Sequence, residues 1–154
     1  MNPLDQKVTI FKSVFEVGAP SHITVLQALE RIKNGKQSER ITLIREGEKE
    51  LKTKLPVVLW SGVFDSRNDD SLTEHSGLIV IDIDHVTTFS TVEEVKSVLC
   101  LDQHILAVWV SPSGDGIKAL VNITFPERHR DHFRALEKYF ETKYNLIIDS
   151  SGKK

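Results

Sequence analysis

Leu78-Ile79-Val80-Ile81-Asp82-Ile83-Asp84 is an apolar run that ends in two carboxylates spaced by one residue. A strand turns every second side chain to the same face, so Asp82 and Asp84 emerge side by side, roughly 6.5–7 Å apart along the backbone. The four apolar residues ahead of them predict a central strand covered on both faces. Two like charges leaving one strand repel each other, and a cation relieves that cost. A divalent metal, Mg²⁺ or Mn²⁺, is the expected cofactor, because Mg²⁺ favours one or two carboxylates together with substrate phosphates.

Downstream of this strand, Thr91-Val92-Glu93-Glu94 has capping-box spacing and opens a helix. His104 to Val110 reads as a strand, Ser111-Pro112-Ser113-Gly114-Asp115-Gly116 as a turn, and Ile117 to Thr124 as another strand. So short a loop predicts an antiparallel pair. Pro126 starts a long helix whose Phe133, Leu136, Phe140 and Tyr144 form one stripe, read as core rather than as a base-stacking platform. Ile147-Ile148-Asp149 then reads as the start of a strand. The order βαββαβ is that of a split-βαβ, RNA-recognition-type sheet in the α+β class.

Upstream, Val8 to Phe15 reads as a strand. Thr24 and Gln27 have capping-box spacing, ahead of a helix with Val25, Leu26, Leu29 and Ile32 on one face and Asn34-Gly35 at its end. A second helix over about residues 38–52 carries a dense, solvated charged face. Pro56 introduces the strand Val57 to Trp60, followed by the polar stretch Asp65 to Glu74. This βααβ segment is expected as an accessory layer (residues 1–75) on a motif-bearing core (76–154), the two forming a single domain.

With 154 residues, 40% hydrophobic and 27% charged, the chain can bury one well-packed core. A net charge of −2 gives no global sign of a polyanion binder, so any nucleic-acid contact must be a local basic groove. A single cysteine, Cys100, excludes an internal disulfide and a cysteine-rich zinc site. The N-terminus lacks a signal-peptide pattern and no apolar run approaches the roughly 18 residues of a membrane span, so a cytoplasmic protein without membrane contact is expected. Because the chain stops just after an apparent strand start, truncation at the C-terminus is expected as well.

Three acids can converge: Asp82, Asp84 and Asp149, the last of which also reads as a turn-forming Asp before Ser150-Ser151-Gly152. Around the hairpin, Ser111, Ser113, Gly114 and Gly116 offer hydroxyls and backbone N–H groups for an anion, and Lys118 follows as a point charge. The alternative is a glycine-rich hairpin with a solvent-facing lysine. Acids for a metal, with glycines and a cation for phosphate, outline a nucleoside triphosphate site. Arg128, Arg130 and Arg134, with His129 and His132, form a basic cluster at a helix start, where cations oppose the helix dipole; this marks a weak nucleic-acid contact. His75, His85 and His104 have no metal-ligand spacing on a helix, and His85 alone lies near the acids.

The blocks Leu55-Pro56 through Gly62-Val63-Phe64, Ser76-Gly77-Leu78 through Asp84-His85, and Ser111 through Lys118 resemble the VirE N-terminal domain family of bacterial mobile-element and phage-like proteins. That family is related to the primase-polymerase (archaeo-eukaryotic primase) superfamily. The likeness runs roughly from Leu4 to the end. It implies a first motif at Asp82 and Asp84, a nucleotide-contacting second motif over Ser113 to Lys118, and a third at Ile148-Asp149. Lys118 stands where the superfamily pattern has histidine. By resemblance the expectation is a metal-dependent nucleotidyltransferase acting in DNA replication, or its remnant, with a nucleoside triphosphate, a DNA or RNA template and a helicase as partners. A non-catalytic nucleotide- or nucleic-acid-binding module is the alternative. Asp82-Ile83-Asp84-His85-Val86-Thr87 also resembles the start of haloacid-dehalogenase phosphatases, which place that motif on a parallel sheet.

Overall fold

A computed structural model describes residues 2–153. Met1 and Lys154, at which the readings of the two chain ends begin and stop, lie outside the described residues. The chain is mixed α+β with small antiparallel sheets, and it divides into two compact units, one ending at Gly77 and the other starting at Leu78.

In the first unit, β1 (Lys7–Phe11) pairs antiparallel with both β2 (Ser21–Thr24) and β3 (Val57–Leu59), giving the order β2-β1-β3. Helices α1 (Val25–Lys33) and α2 (Ser38–Arg45) follow β2, and a hairpin of β4 (Gly62–Phe64) and β5 (Leu72–His75) completes the unit. The expected βααβ is therefore ββααβββ. The polar stretch after Asp65 conceals β5, whose side chains are mostly exposed and whose order comes from backbone pairing with β4. The second helix ends at Arg45 instead of residue 52, with Gly47 in the left-handed region (φ +118°) and a 3-10 turn over Lys49–Lys54.

The first helix begins as its sequence predicts. Thr24 Oγ1 accepts the Gln27 N–H at 3.1 Å and Gln27 Oε1 accepts the Thr24 N–H at 2.9 Å, the reciprocal pair of a capping box. Its inward face is Val25 and Ala28, however, and Leu26 and Ile32 are exposed. Thr24→Ala removes the cap's acceptor and is expected to cost about 1 kcal/mol, read from the midpoint of urea unfolding.

The second unit carries β6 (Leu78–Ile83), α3 (Val92–Leu99), β7 (Ile105–Val110), β8 (Ile117–Asn122) and α4 (His129–Tyr144). All its strand pairs are antiparallel, in the order β6-β8-β7. Alternation along β6 turns Ile79, Ile81 and Ile83 toward a core made with Ile117, Ala119 and Val121 of β8, Val95 and Leu99 of α3, and Phe133 and Phe140 of α4. The α4 stripe is thus core, as its spacing predicts. The other face of β6 carries Leu78, Val80 and Asp82, with Val80 and Asp82 half-buried.

The expected last strand does not form among the described residues. Asn145 closes α4 in the left-handed conformation (φ +55°), donating its N–H to Glu141 O at 3.0 Å. The following segment buries Leu146 and Ile148 in the core and exposes Ile147. One backbone bond ties it to the sheet, from Asp149 N–H to Asp82 O at 2.8 Å. A 3-10 turn over Ser150–Lys153 follows.

Candidate functional site

The acids meet at one end of β6. Asp82 lies directly across from Lys118 of β8, which is in turn opposite Trp109 of β7, so the three share one face of the sheet. Lys118 Nζ donates to Asp82 Oδ1 at 2.5 Å, with both side chains about a third exposed. Asp84 follows the end of the strand. The single backbone bond from Asp149 to Asp82 brings the third acid alongside, on the edge of β6 away from β8. Asp149 and Asp82 are thus neighbours through the backbone as well as through their place at this end of the strand.

Charge is unevenly shared in this cluster. Burial pushes the Asp84 carboxyl up, and the neighbouring charges of Asp149 and Asp82 push it further. Asp149 moves the other way. The Ser151 N–H, which donates to its Oδ1 at 2.7 Å, holds its carboxyl down, and contact with Asp84 adds to that. Asp84 and Asp149 thus shift in opposite directions, while Asp82 is paired with Lys118.

Among the described residues no three His, Cys, Asp or Glu groups are arranged to hold a metal ion. The donor chemistry nevertheless fits Mg²⁺ or Mn²⁺. Asp84 and Asp149 supply only oxygen, their mutual repulsion is what a cation removes, and two carboxylates suffice for a metal that completes its shell with phosphates and water.

The Ser111–Gly116 loop is stitched onto the same end of β6. Asp115 O accepts the Val86 N–H at 2.8 Å, and a side chain on Gly116 would stand 2.9 Å from Ile83 O, so glycine is required there for the close approach. Inside the loop Ser111 accepts twice: Ser111 O takes the Gly114 N–H at 3.0 Å and Ser111 Oγ the Gly116 N–H at 3.2 Å. The expected nest of unpaired N–H groups therefore does not hold for these two glycines, because a serine within so tight a turn satisfies them locally. What the loop presents is a chain of side chains. Ser111 and Ser113 hydroxyls are 2.9 Å apart, Ser113 donates to Asp115 Oδ1 at 2.7 Å, and Asp115 Oδ2 faces His85 Nδ1 at 3.5 Å. The Ser113 hydroxyl, together with His85, holds the Asp115 carboxyl below the usual range.

The basic cluster is divided. Arg128 pairs with Asp131 at 3.1 Å, His132 accepts the Phe125 N–H and stacks on its ring, and Arg130 and Arg134 are exposed on α4. The remaining histidines do not converge: His75 accepts the Gly77 N–H, and His104 packs edge-on against Tyr139.

Sequence reasoning missed the most heavily bonded acid. Asp102 follows α3 with its side chain wholly out of solvent, accepting from the Tyr139 hydroxyl at 2.7 Å, the Tyr144 hydroxyl, and the His104 N–H at 2.8 Å, with Lys143 Nζ at 3.7 Å. Only the Asp-x-His spacing of a side-chain turn marks it in the sequence; its tyrosines lie 37 and 42 residues away.

An antiparallel α+β unit with acids and a serine-glycine loop at one strand end defines the class of this molecule. The chain belongs to the family described as BT4734-like, N-terminal domain, whose model matches residues 50–153. No curated protein and no solved structure matches the chain. Among the described residues no helix is long and apolar enough to cross a membrane.

Proposed function

We propose that the second unit is a primase-polymerase-like nucleotidyltransferase domain, or its remnant, that takes a nucleoside triphosphate with Mg²⁺ or Mn²⁺ and serves DNA replication of a mobile element. The observation that carries this reading is the meeting of Asp84, Asp149 and the Asp82–Lys118 pair beside the Ser111–Gly116 loop. The placement of β8 between β6 and β7 supports an RNA-recognition-type sheet. The resemblance to the VirE N-terminal domain family supports the mobile-element setting.

In this reading Asp84 and Asp149 hold the metal, with Asp82 beside them. A divalent ion held by these carboxylates would supply Lewis-acid stabilisation of the charge that develops on a triphosphate. Lys118 exchanges part of its bond to Asp82 for a phosphate oxygen, and the hydroxyls of Ser111 and Ser113 flank the same anion. Arg130 and Arg134, with Arg128, offer phosphate contacts to a template strand. The phosphatase alternative asks for parallel strands beside the acid-bearing strand, whereas the paired neighbour of β6 is antiparallel.

The 2.5 Å Lys118–Asp82 pair favours a second reading, a non-catalytic nucleotide- or nucleic-acid-binding module accompanying a helicase, because it already neutralises one acid. Incorporation of a labelled nucleotide on primed and unprimed templates with Mg²⁺ or Mn²⁺ separates the two. Catalysis is expected to fall at least about 100-fold in Asp84→Asn. Salt-sensitive binding without incorporation supports the module. Absence of both incorporation and nucleotide binding overturns the proposal.

A further inference from the structure

His85 occupies a backbone conformation that disfavours its own side chain. Its φ of +55° and ψ of +36° are left-handed, where a Cβ crowds the backbone and glycine is at ease. Among the described residues the one other non-glycine with positive φ is Asn145, which closes α4 in a role asparagine commonly fills. His85 begins the turn Val86–Thr88 through its carbonyl, which accepts the Thr88 N–H and hydroxyl, bonds that any residue could make. Its side chain is 78% exposed. Glycine would fill a purely structural role at this position with less strain.

The ring is also aimed. Nδ1 faces Asp115 Oδ2 at 3.5 Å, and Asp115 is fixed in turn by the Ser113 hydroxyl on its other oxygen and by its own carbonyl, which holds Val86 N–H. Nε2 lies on the far side of the ring from Asp115. We propose that His85 is a phosphate-contacting residue of the nucleotide site, oriented by Asp115 and standing next to Asp84. Placed between the Asp115 carboxylate and a phosphate oxygen, the ring turns Nδ1 toward one and Nε2 toward the other. The inference rests on the triphosphate reading above and adds a residue and its orienting partner to it.

The test pairs stability with binding, because the two have opposite expected signs. In the full chain, His85→Gly relieves the left-handed strain and is expected to raise Tm by about 3 °C. The same change is expected to weaken Mn²⁺-dependent binding of a fluorescent nucleoside triphosphate about tenfold, the worth of one bond to a charged group. Asp115→Asn keeps the fold and loosens the ring, with an expected loss of about threefold, and His85→Asn, at home in the same backbone region, restores part of the His85→Gly loss. Asp84→Asn serves as the control for the site. Wild-type affinity in His85→Gly while Asp84→Asn loses binding sinks this inference and leaves the triphosphate reading standing. A fall in Tm in His85→Gly assigns the residue a structural role and overturns the inference too. Absence of nucleotide binding in the wild type removes both.

Discussion

Gly62→Ala is expected to cost at least about 3 kcal/mol and to disrupt the first unit ahead of the second. An alanine Cβ at this position would lie 2.0 Å from the carbonyl oxygen of Glu74, in the paired strand β5, and that oxygen is backbone and has nowhere to go. The φ of +151° adds a conformation that L side chains rarely adopt. Displacement would not stay local. The Gly62 carbonyl accepts the buried Thr9 hydroxyl at 3.0 Å, and Thr9 Oγ1 accepts the Phe64 N–H at 2.8 Å, so moving β4 leaves buried polar groups without partners. The two tryptophans give the readout, since Trp60 belongs to the first unit and Trp109 to the second. In single-tryptophan versions of Gly62→Ala, the Trp60 signal is expected to unfold at lower urea than in the parent, and a coincident, unshifted transition would contradict the account.

Asp102→Ala is expected to destabilise the second unit by about 3–4 kcal/mol, because it strands two tyrosine hydroxyls and a backbone N–H that all converge on one buried carboxylate. The tyrosines bind the last turns of α4 to the loop after α3, so the loss falls on the helix that covers the core. The pH dependence has a definite sign. Burial raises the Asp102 carboxyl, but the Tyr144 hydroxyl, the His104 N–H, the Tyr139 hydroxyl and Lys143 more than offset it and hold it at about 2. A folded value below the ordinary carboxylate value means that the unfolded chain binds the proton more tightly. The stabilisation is present above about pH 4 and is lost as pH falls through about 2, a span worth about 2 kcal/mol. Unfolding free energies of wild type and Asp102→Asn measured from pH 6 to pH 2 should converge as the pH falls, and parallel curves would refute the linkage. Burial and the bond to Asp102 push the Tyr144 phenol up to about 12, so it remains a donor throughout that range.

Local signals in the chain reported local structure faithfully. The Thr24 capping box, the helix start at Thr91, the hairpin around residue 114 and the α4 stripe all depend on residues a few positions apart, and each is where its spacing places it. Signals failed where partners are distant. β5 is mostly exposed and has no hydrophobic alternation of its own; its order comes from β4 across a ten-residue span. Leu26 and Ile32 have helical spacing, but the contact surface selects Val25 and Ala28.

For the site, the sequence by itself determined the period-two placement of Asp82 and Asp84 and the tight turn before Lys118, since both follow from the geometry of a strand and of a hairpin. Only the tertiary structure decided which acid is paired with lysine and which acids stand beside one another. Strand register sets Lys118 opposite Asp82, and one backbone bond from a tail 67 residues on sets Asp149 next to both. Coulomb forces then sort the charges by distance, and distance is a property of the folded chain alone.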